Sequence, residues 1–113
     1  MAQSLELSFD SQEIRNLCLN VQIAIDALGE HDSSILQQRL ADLDAVTNVA
    51  EYLDLFQDEV NISEDGSELY ITLSTMVLII VQAHAKPPID DIGQIKWSRV
   101  KRVKIVSLER IDD

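Results

Sequence analysis

The stretch "ELYITLSTMVLIIVQ", residues 68–82, decides the fold of this chain. Its first part alternates between apolar and polar side chains, as in a strand with one buried face: Leu69, Ile71 and Leu73 stand against Tyr70, Thr72 and Ser74. Its second part, "MVLIIV" at residues 76–81, is the longest unbroken apolar run of the sequence and predicts a central strand buried on both faces. We therefore expect Asp at either Ile79 or Ile80 to prevent folding, because a buried unpaired charge is strongly destabilising.

The sequence on both sides of this stretch continues the sheet. Upstream, Val60 and Ile62 alternate with polar residues, and Asp65-Gly66 supplies a turn that tolerates positive φ. Downstream, "KPPIDDIGQ" at residues 86–94 predicts a loop, since its two prolines deny backbone donors to a sheet. The last strand is predicted in "VKRVKIVSL", residues 100–108.

The N-terminal half has a different period. "SLELSF", residues 4–9, alternates like a strand, and the apolar spacing then becomes helical. One helix is predicted from a capping pair at Asp10 and Glu13 to a stop at Gly29, with an apolar face of Ile14, Leu17, Cys18, Val21, Ile25 and Leu28. Leu19 and Ile23 widen that face, which suggests packing on more than one element.

Two further helices follow in the prediction. Asp32 or Ser33 caps a helix bearing Leu36, Leu40 and Leu43, and Asn48 with Glu51 begins a short one. The predicted fold is α+β: an N-terminal strand and helical hairpin, residues 11–45, packed on one face of a mainly antiparallel C-terminal sheet. We expect residues 1–113 to form a single domain.

Charge is distributed unevenly along the chain. Of 113 residues, 20 are acidic and nine basic, giving a net charge of −11. Residues 1–85 hold only Arg15 and Arg39 as cations, whereas six of the nine fall between Lys96 and Arg110. The sequence shows no signal peptide and no apolar run long enough to cross a bilayer, so we predict a cytoplasmic protein without membrane contact.

The basic segment is the predicted binding site, composed of Lys96, Trp97, Arg99, Lys101, Arg102 and Lys104. Two interpretations of its cations stay open: a nucleic-acid surface, or pairing with acids of the same chain. We expect the second, because a net charge of −11 repels nucleic acid. The pairing acids are predicted on the helices, at Asp26, Asp42, Asp44, Glu51 and Asp54, with an acidic partner or a second copy as further sources.

Other chemistry is sparse in the sequence. Cys18 falls on the helical apolar stripe, which favours a buried thiol over a nucleophile. His31 and His84 have no partner at metal-ligand spacing, and no phosphate loop or Cys/His dyad occurs. We predict no catalytic residue, no metal and no cofactor. Trp97 is expected to plug the point where the loop re-enters the sheet.

The order of "LSFDSQEIRNLC", "QQRLADLDAVTNVAEY", "LYITLSTMVLIIVQA" and "GQIKWSRVKRVKIV" resembles the RelE/HigB type of bacterial toxin from toxin–antitoxin pairs, in its plasmid maintenance system killer branch. In that branch a Trp-Ser-Arg-Val segment leads into the final strand after an acidic, Pro-containing loop. Trp97, Ser98, Arg99 and Val100 occupy that place here. The resemblance implies the fold predicted above and an antitoxin-like protein as partner.

The resemblance also implies a ribosome-dependent messenger-RNA endoribonuclease, which uses Lys, Arg and His around phosphate. This chain departs from that pattern: the hairpin "DEVNISEDGSELYITLS" has five acids and no Lys or Arg, Val77 stands where an Arg is often seen, and the terminus has Arg110-Ile111-Asp112. We therefore expect a divergent member that lacks the ribonuclease site and binds protein, either an antitoxin-like partner or itself. The alternative is an active endoribonuclease with an unusual residue set.

Overall fold

A computed structural model describes residues 5–111, in which four helices cover a five-stranded mixed sheet. In chain order the elements are β1 (Glu6–Phe9), α1 (Gln12–Leu19), α2 (Val21–Leu28), α3 (Glu30–Ala45), α4 (Val49–Leu55), β2 (Val60–Ile62), β3 (Glu68–Leu73), β4 (Met76–Gln82), a 3₁₀ turn (Trp97–Arg99) and β5 (Arg102–Arg110). The α+β class and the mainly antiparallel sheet are as predicted.

The strand order is β1-β5-β4-β3-β2, so β4 is the central strand. Neighbours from β5 to β2 pair antiparallel, whereas β1 pairs parallel with β5. The parallel pair is possible because the helices supply the long connection that it needs. This pairing places the first and last strands of the described chain side by side.

The prediction that β4 is buried on both faces is wrong. Met76, Leu78 and Ile80 are completely buried against the helices, but Val77, Ile79 and Val81 are only half-buried. Because strand side chains alternate between faces, the helices cover one face of β4 and leave the other accessible. The apolar run of residues 76–81 therefore correctly predicts a central strand, but only one face of that strand is covered.

The predicted single N-terminal helix is two helices. Asn20 has extended backbone dihedrals, and its side-chain oxygen accepts a hydrogen bond from the N–H of Ile23, which caps α2. Because of this break, α1 and α2 do not share one continuous apolar face. Leu19, Val21 and Ile23, which flank the break, are 40% to 60% exposed rather than packed. The cap of α1 is Ser11, not Asp10.

The remaining helix boundaries agree with the prediction more closely. Gly29, at φ 90°, ends α2 and also begins α3, so α3 starts before the predicted caps Asp32 and Ser33. Leu36, Leu40 and Leu43 of α3 are buried as predicted. Asn48 caps α4 as predicted, by accepting a hydrogen bond from the N–H of Glu51.

The core joins the helices to the inner face of the sheet. Its strand members include Leu69, Ile71, Leu78, Ile80 and Ile105, and its helix members include Ile14, Cys18, Leu36, Leu43 and Tyr52. On the helix side, the Arg39 guanidinium lies over the Phe56 ring and pairs with Glu59 at 2.8 Å, which ties α3 to the start of β2. Hydrophobic burial on this face positions every strand of the site described next.

Candidate protein-binding face

The face of the sheet opposite the helices is the candidate site, and we call it the open face. Its residues come from the three central strands: Glu68, Tyr70 and Thr72 of β3, Val77, Ile79 and Val81 of β4, and Lys104, Ser107 and Glu109 of β5. The register places Tyr70 beside Ile79 and Thr72 beside Val77. None of the three β4 residues is fully buried, so an apolar strip runs along the middle of an accessible surface.

A β-bulge sets the charges of this face. Ile80 pairs with Ile105, but the next pair is Ile79 with Ser107, so Val106 is an extra residue on β5. The extra residue reverses the alternation, and Lys104 and Glu109 therefore both lie on the open face, beside Val81 and Val77 respectively.

Salt bridges support this assignment of faces. Lys104 Nζ lies 3.9 Å from Asp10 on the chain that follows β1. Arg110, the neighbour of Glu109, points to the helix side, where its guanidinium lies 3.9 Å from Asp32 of α3. The bulge thus separates a basic end of the open face, at Lys104, from an acidic end, at Glu109.

A hydrogen bond between neighbouring side chains fixes the outer edge of this face. The Tyr70 hydroxyl donates to Glu68 Oε1 at 2.9 Å. This bond raises the pKa of Tyr70, with smaller contributions from desolvation and from the charges of Glu68, Asp65 and Glu109. Tyr70 consequently stays neutral and keeps its ring beside Ile79.

The six residues of the predicted basic binding site do not form one continuous surface in the structure. Trp97 is buried at 7% exposure, and its indole Nε1–H donates to the Gly66 carbonyl oxygen at 3.1 Å, which fits the predicted plug. Lys96, Arg99 and Lys101 are exposed before β5 and form no ion pair with a carboxylate of residues 5–111. Only Lys104 of the six reaches the centre of the open face.

The five helix acids predicted to pair with these cations are not their partners, although one cation further along β5, Arg110, does lie beside a helix acid, Asp32. Arg102 Nε lies 2.9 Å from Glu6 of β1, and Lys104 lies near Asp10. Within residues 5–111, Asp26, Asp42, Asp44, Glu51 and Asp54 make no ion pair with the basic segment. The reason is the parallel β1–β5 pairing, which puts Glu6 and Asp10 next to β5, while the helices lie behind the sheet.

The histidines do not form a reactive cluster. His84 Nε2 accepts hydrogen bonds from the backbone N–H groups of Lys101 and Arg102, at 2.9 and 3.3 Å. Its acceptor nitrogen is thus used to hold the entry to β5. Over residues 5–111, no group of three His, Cys, Asp or Glu side chains is arranged to hold a metal ion.

A groove of about 1140 Å³ runs beside the outer edge of β1, between that strand and helices α1 and α3. Cys18 lies at its floor and is buried, as predicted. Burial raises the pKa of the Cys18 thiol from 9.0 to about 11, so the thiolate needed for nucleophilic chemistry is scarce near neutral pH.

We expect native Cys18 to react slowly with a disulfide reagent at pH 8, and quickly once the chain is unfolded. Because its folded pKa is raised, the neutral thiol favours the native state below pH 9, and this contribution disappears as the pH rises to about 11. Between pH 9 and about 11, the melting temperature should therefore fall more steeply with pH in the native sequence than in Cys18→Ala. Fast labelling of the native protein would contradict a buried thiol.

Sequence reasoning missed the open face because it assigned all of residues 76–81 to the core. A signal was nevertheless present: Tyr70 and Thr72 alternate with buried leucines and isoleucine in the neighbouring strand. Adjacent strands share their faces, so the polar side of β3 marked the accessible side of β4 as well.

No helix within residues 5–111 has the length and apolar character to cross a membrane. Comparisons with protein-family models, curated proteins and solved structures gave no match to this chain.

Proposed function

We propose that this chain is a divergent protein of the RelE/HigB type that has lost ribonuclease activity and acts by binding another protein through its open face. The observation that carries the proposal is the apolar strip of Val77, Ile79 and Val81 at the centre of an accessible sheet. Accessible apolar strips with charged margins are typical of surfaces that bind protein.

The chemistry of the open face supports binding over catalysis. Messenger-RNA cleavage needs cations around the phosphate and a group to move a proton. Lys104 is the one cation placed centrally on the described part of this face, and it lies close to Asp10. The Tyr70 hydroxyl donates a hydrogen bond to Glu68, and the raised pKa of Tyr70 makes it a poor general base.

Expression of the chain alone is expected to leave growth unaffected, and ribosomes mixed with it are expected to keep their messenger RNA intact. The physical reason is that the two β5 cations on this face, Arg102 and Lys104, each lie beside a carboxylate, together with the net charge of −11, which repels RNA. Growth curves and primer extension on ribosome-bound messages measure both. Cleavage that is lost in Arg99→Ala, Lys101→Ala or Arg102→Ala would establish the endoribonuclease instead.

Binding itself is testable with an antitoxin-like protein encoded beside this gene, or with a second copy. Val77→Ser with Val81→Ser should abolish binding, because these changes remove apolar area from the strip without touching the core. Leu55→Ser is the matched control, since Leu55 is a 65% exposed apolar residue on α4, outside the open face. Equal loss in the control would argue against the open face as the binding surface.

A further inference from the structure

The open face has a property beyond accessibility: its charges are arranged symmetrically about its apolar centre. Along β5, Lys104 lies beside Val81 and Glu109 lies beside Val77. Ile79 sits between those two positions on β4, beside Ser107. Along β5, a cation, an uncharged middle and a carboxylate therefore follow one another, while Glu68 of β3 lies level with the cation.

Such an arrangement is complementary to itself. Consider a second copy turned by a two-fold axis that lies between the faces, crosses the strands and passes over Ile79. Ile79 then meets its counterpart, Val77 meets Val81, and Lys104 meets Glu109 of the other copy, with each unlike contact made twice. Isologous contacts require this pairing of each residue with its own counterpart or with a complementary one.

The neighbouring strand β3 extends the match. On β3, Tyr70 lies level with Ile79, and Glu68 and Thr72 lie level with Val81 and Val77. Under the same axis, the Tyr70 rings of two copies face each other, and each Thr72 hydroxyl reaches the other copy's Glu68. No like charges from the three central strands are brought together.

We propose that the partner of the open face is a second copy of this chain, in an isologous face-to-face dimer with its two-fold axis over Ile79. This inference rests on the proposed function, because it names the occupant of the same face. Strands of one copy run along those of the other, as in packed antiparallel sheets.

The size of the face sets the expected strength of the dimer. Strands about 4.8 Å apart make three central strands only about 10 Å wide, so the contact belongs to the small class of interfaces, below about 1,200 Å² in total. Each copy also carries a net charge of −11, and the two repel each other over distances that salt screens. We expect a reversible dimer that strengthens as salt rises from low to physiological concentration.

Charge reversal at the two ends provides the test, with sedimentation equilibrium over a wide concentration range as the measurement. Lys104→Glu and Glu109→Lys should each weaken self-association by at least about tenfold, because each places like charges together twice. The double change Lys104→Glu with Glu109→Lys in one chain should restore association. The two single variants, when mixed, should associate with each other more tightly than either does with itself.

Lys101→Glu is the matched control, since it makes the same charge change at an exposed residue outside the open face. Far-UV circular dichroism and melting curves check that every variant is folded. A native protein that stays monomeric at all concentrations and salts would overturn the dimer, as would a double variant that remains as weak as the single ones.

Different results would refute the dimer and the proposed function. A monomeric protein that neither cleaves messenger RNA nor arrests growth would refute the second copy while leaving a binding protein with a different partner. Messenger-RNA cleavage by the native protein would refute the proposed function whatever its oligomeric state.

Discussion

Replacing Ile80 with Asp is expected to abolish folding, whereas Asp at the adjacent Ile79 is expected to leave a folded chain, which corrects the expectation from the sequence that both changes prevent folding. Ile80 is completely buried on the helix side of β4, opposite Ile105, which is also completely buried. An unpaired carboxylate there costs several kcal/mol against a total stability of about 5 to 15 kcal/mol. Ile79 is half-buried on the open face, where a carboxylate can reach water.

Circular dichroism, solubility and melting curves of the two variants give the result. Ile80→Ala and Ile79→Ala serve as controls for size, with an expected loss of about 2 to 5 kcal/mol for the first and a smaller loss for the second. A soluble Ile80→Asp variant that melts cooperatively would contradict the burial of this side chain. An unfolded Ile79→Asp variant would show that the open face is covered.

Replacing Trp97 with Ala is expected to cost about 3 to 5 kcal/mol of unfolding free energy. Trp97 is buried where the loop returns to the sheet, and its indole bonds to the carbonyl of Gly66 in the turn between β2 and β3. Its removal leaves a cavity and an unpaired carbonyl, and it releases the loop from that turn. Urea unfolding followed by circular dichroism is the measurement, because the variant lacks the chain's single Trp.

Trp97→Phe separates the two contributions. It keeps an aromatic ring but loses the indole N–H, so we expect it to recover most of the packing and to lack about 1 kcal/mol from the hydrogen bond. If Trp97→Ala unfolds at nearly the same urea concentration as the native protein, the residue is not structural. Its predicted place in a binding site would then regain support.

Much of the fold was predictable because its signals are local. Turn residues and apolar alternation placed β3, Asn48 marked the start of α4, and "MVLIIV" marked the central strand. Boundaries failed where a short polar side chain competed with the helix. Asn20 caps a new helix instead of continuing the old one. A continuous helix would not have buried the apolar residues beside it any better, because Leu19, Val21 and Ile23 are not packed tightly by any described element.

The candidate site was predictable only in part, because it depends on which strands are neighbours. The cluster of cations was visible in the sequence, but its carboxylate partners were not. Glu6 and Asp10 lie next to Arg102 and Lys104 because β1 pairs with β5, two strands at opposite ends of the sequence. Nothing near either segment in the sequence indicates that pairing.

The sequence by itself determined the α+β class, the central place of residues 76–81 and the burial of Cys18, because each follows from hydrophobic period and local turn chemistry. Only the tertiary structure decided which face of the sheet the helices cover, and which charges share the other face. The bulge at Val106 shows why: one extra residue reverses the alternation of β5, so that Glu109 joins Lys104 on the open face and Arg110 turns to Asp32. The period of two along a strand fixes only relative facing, and the register against neighbouring strands fixes the rest.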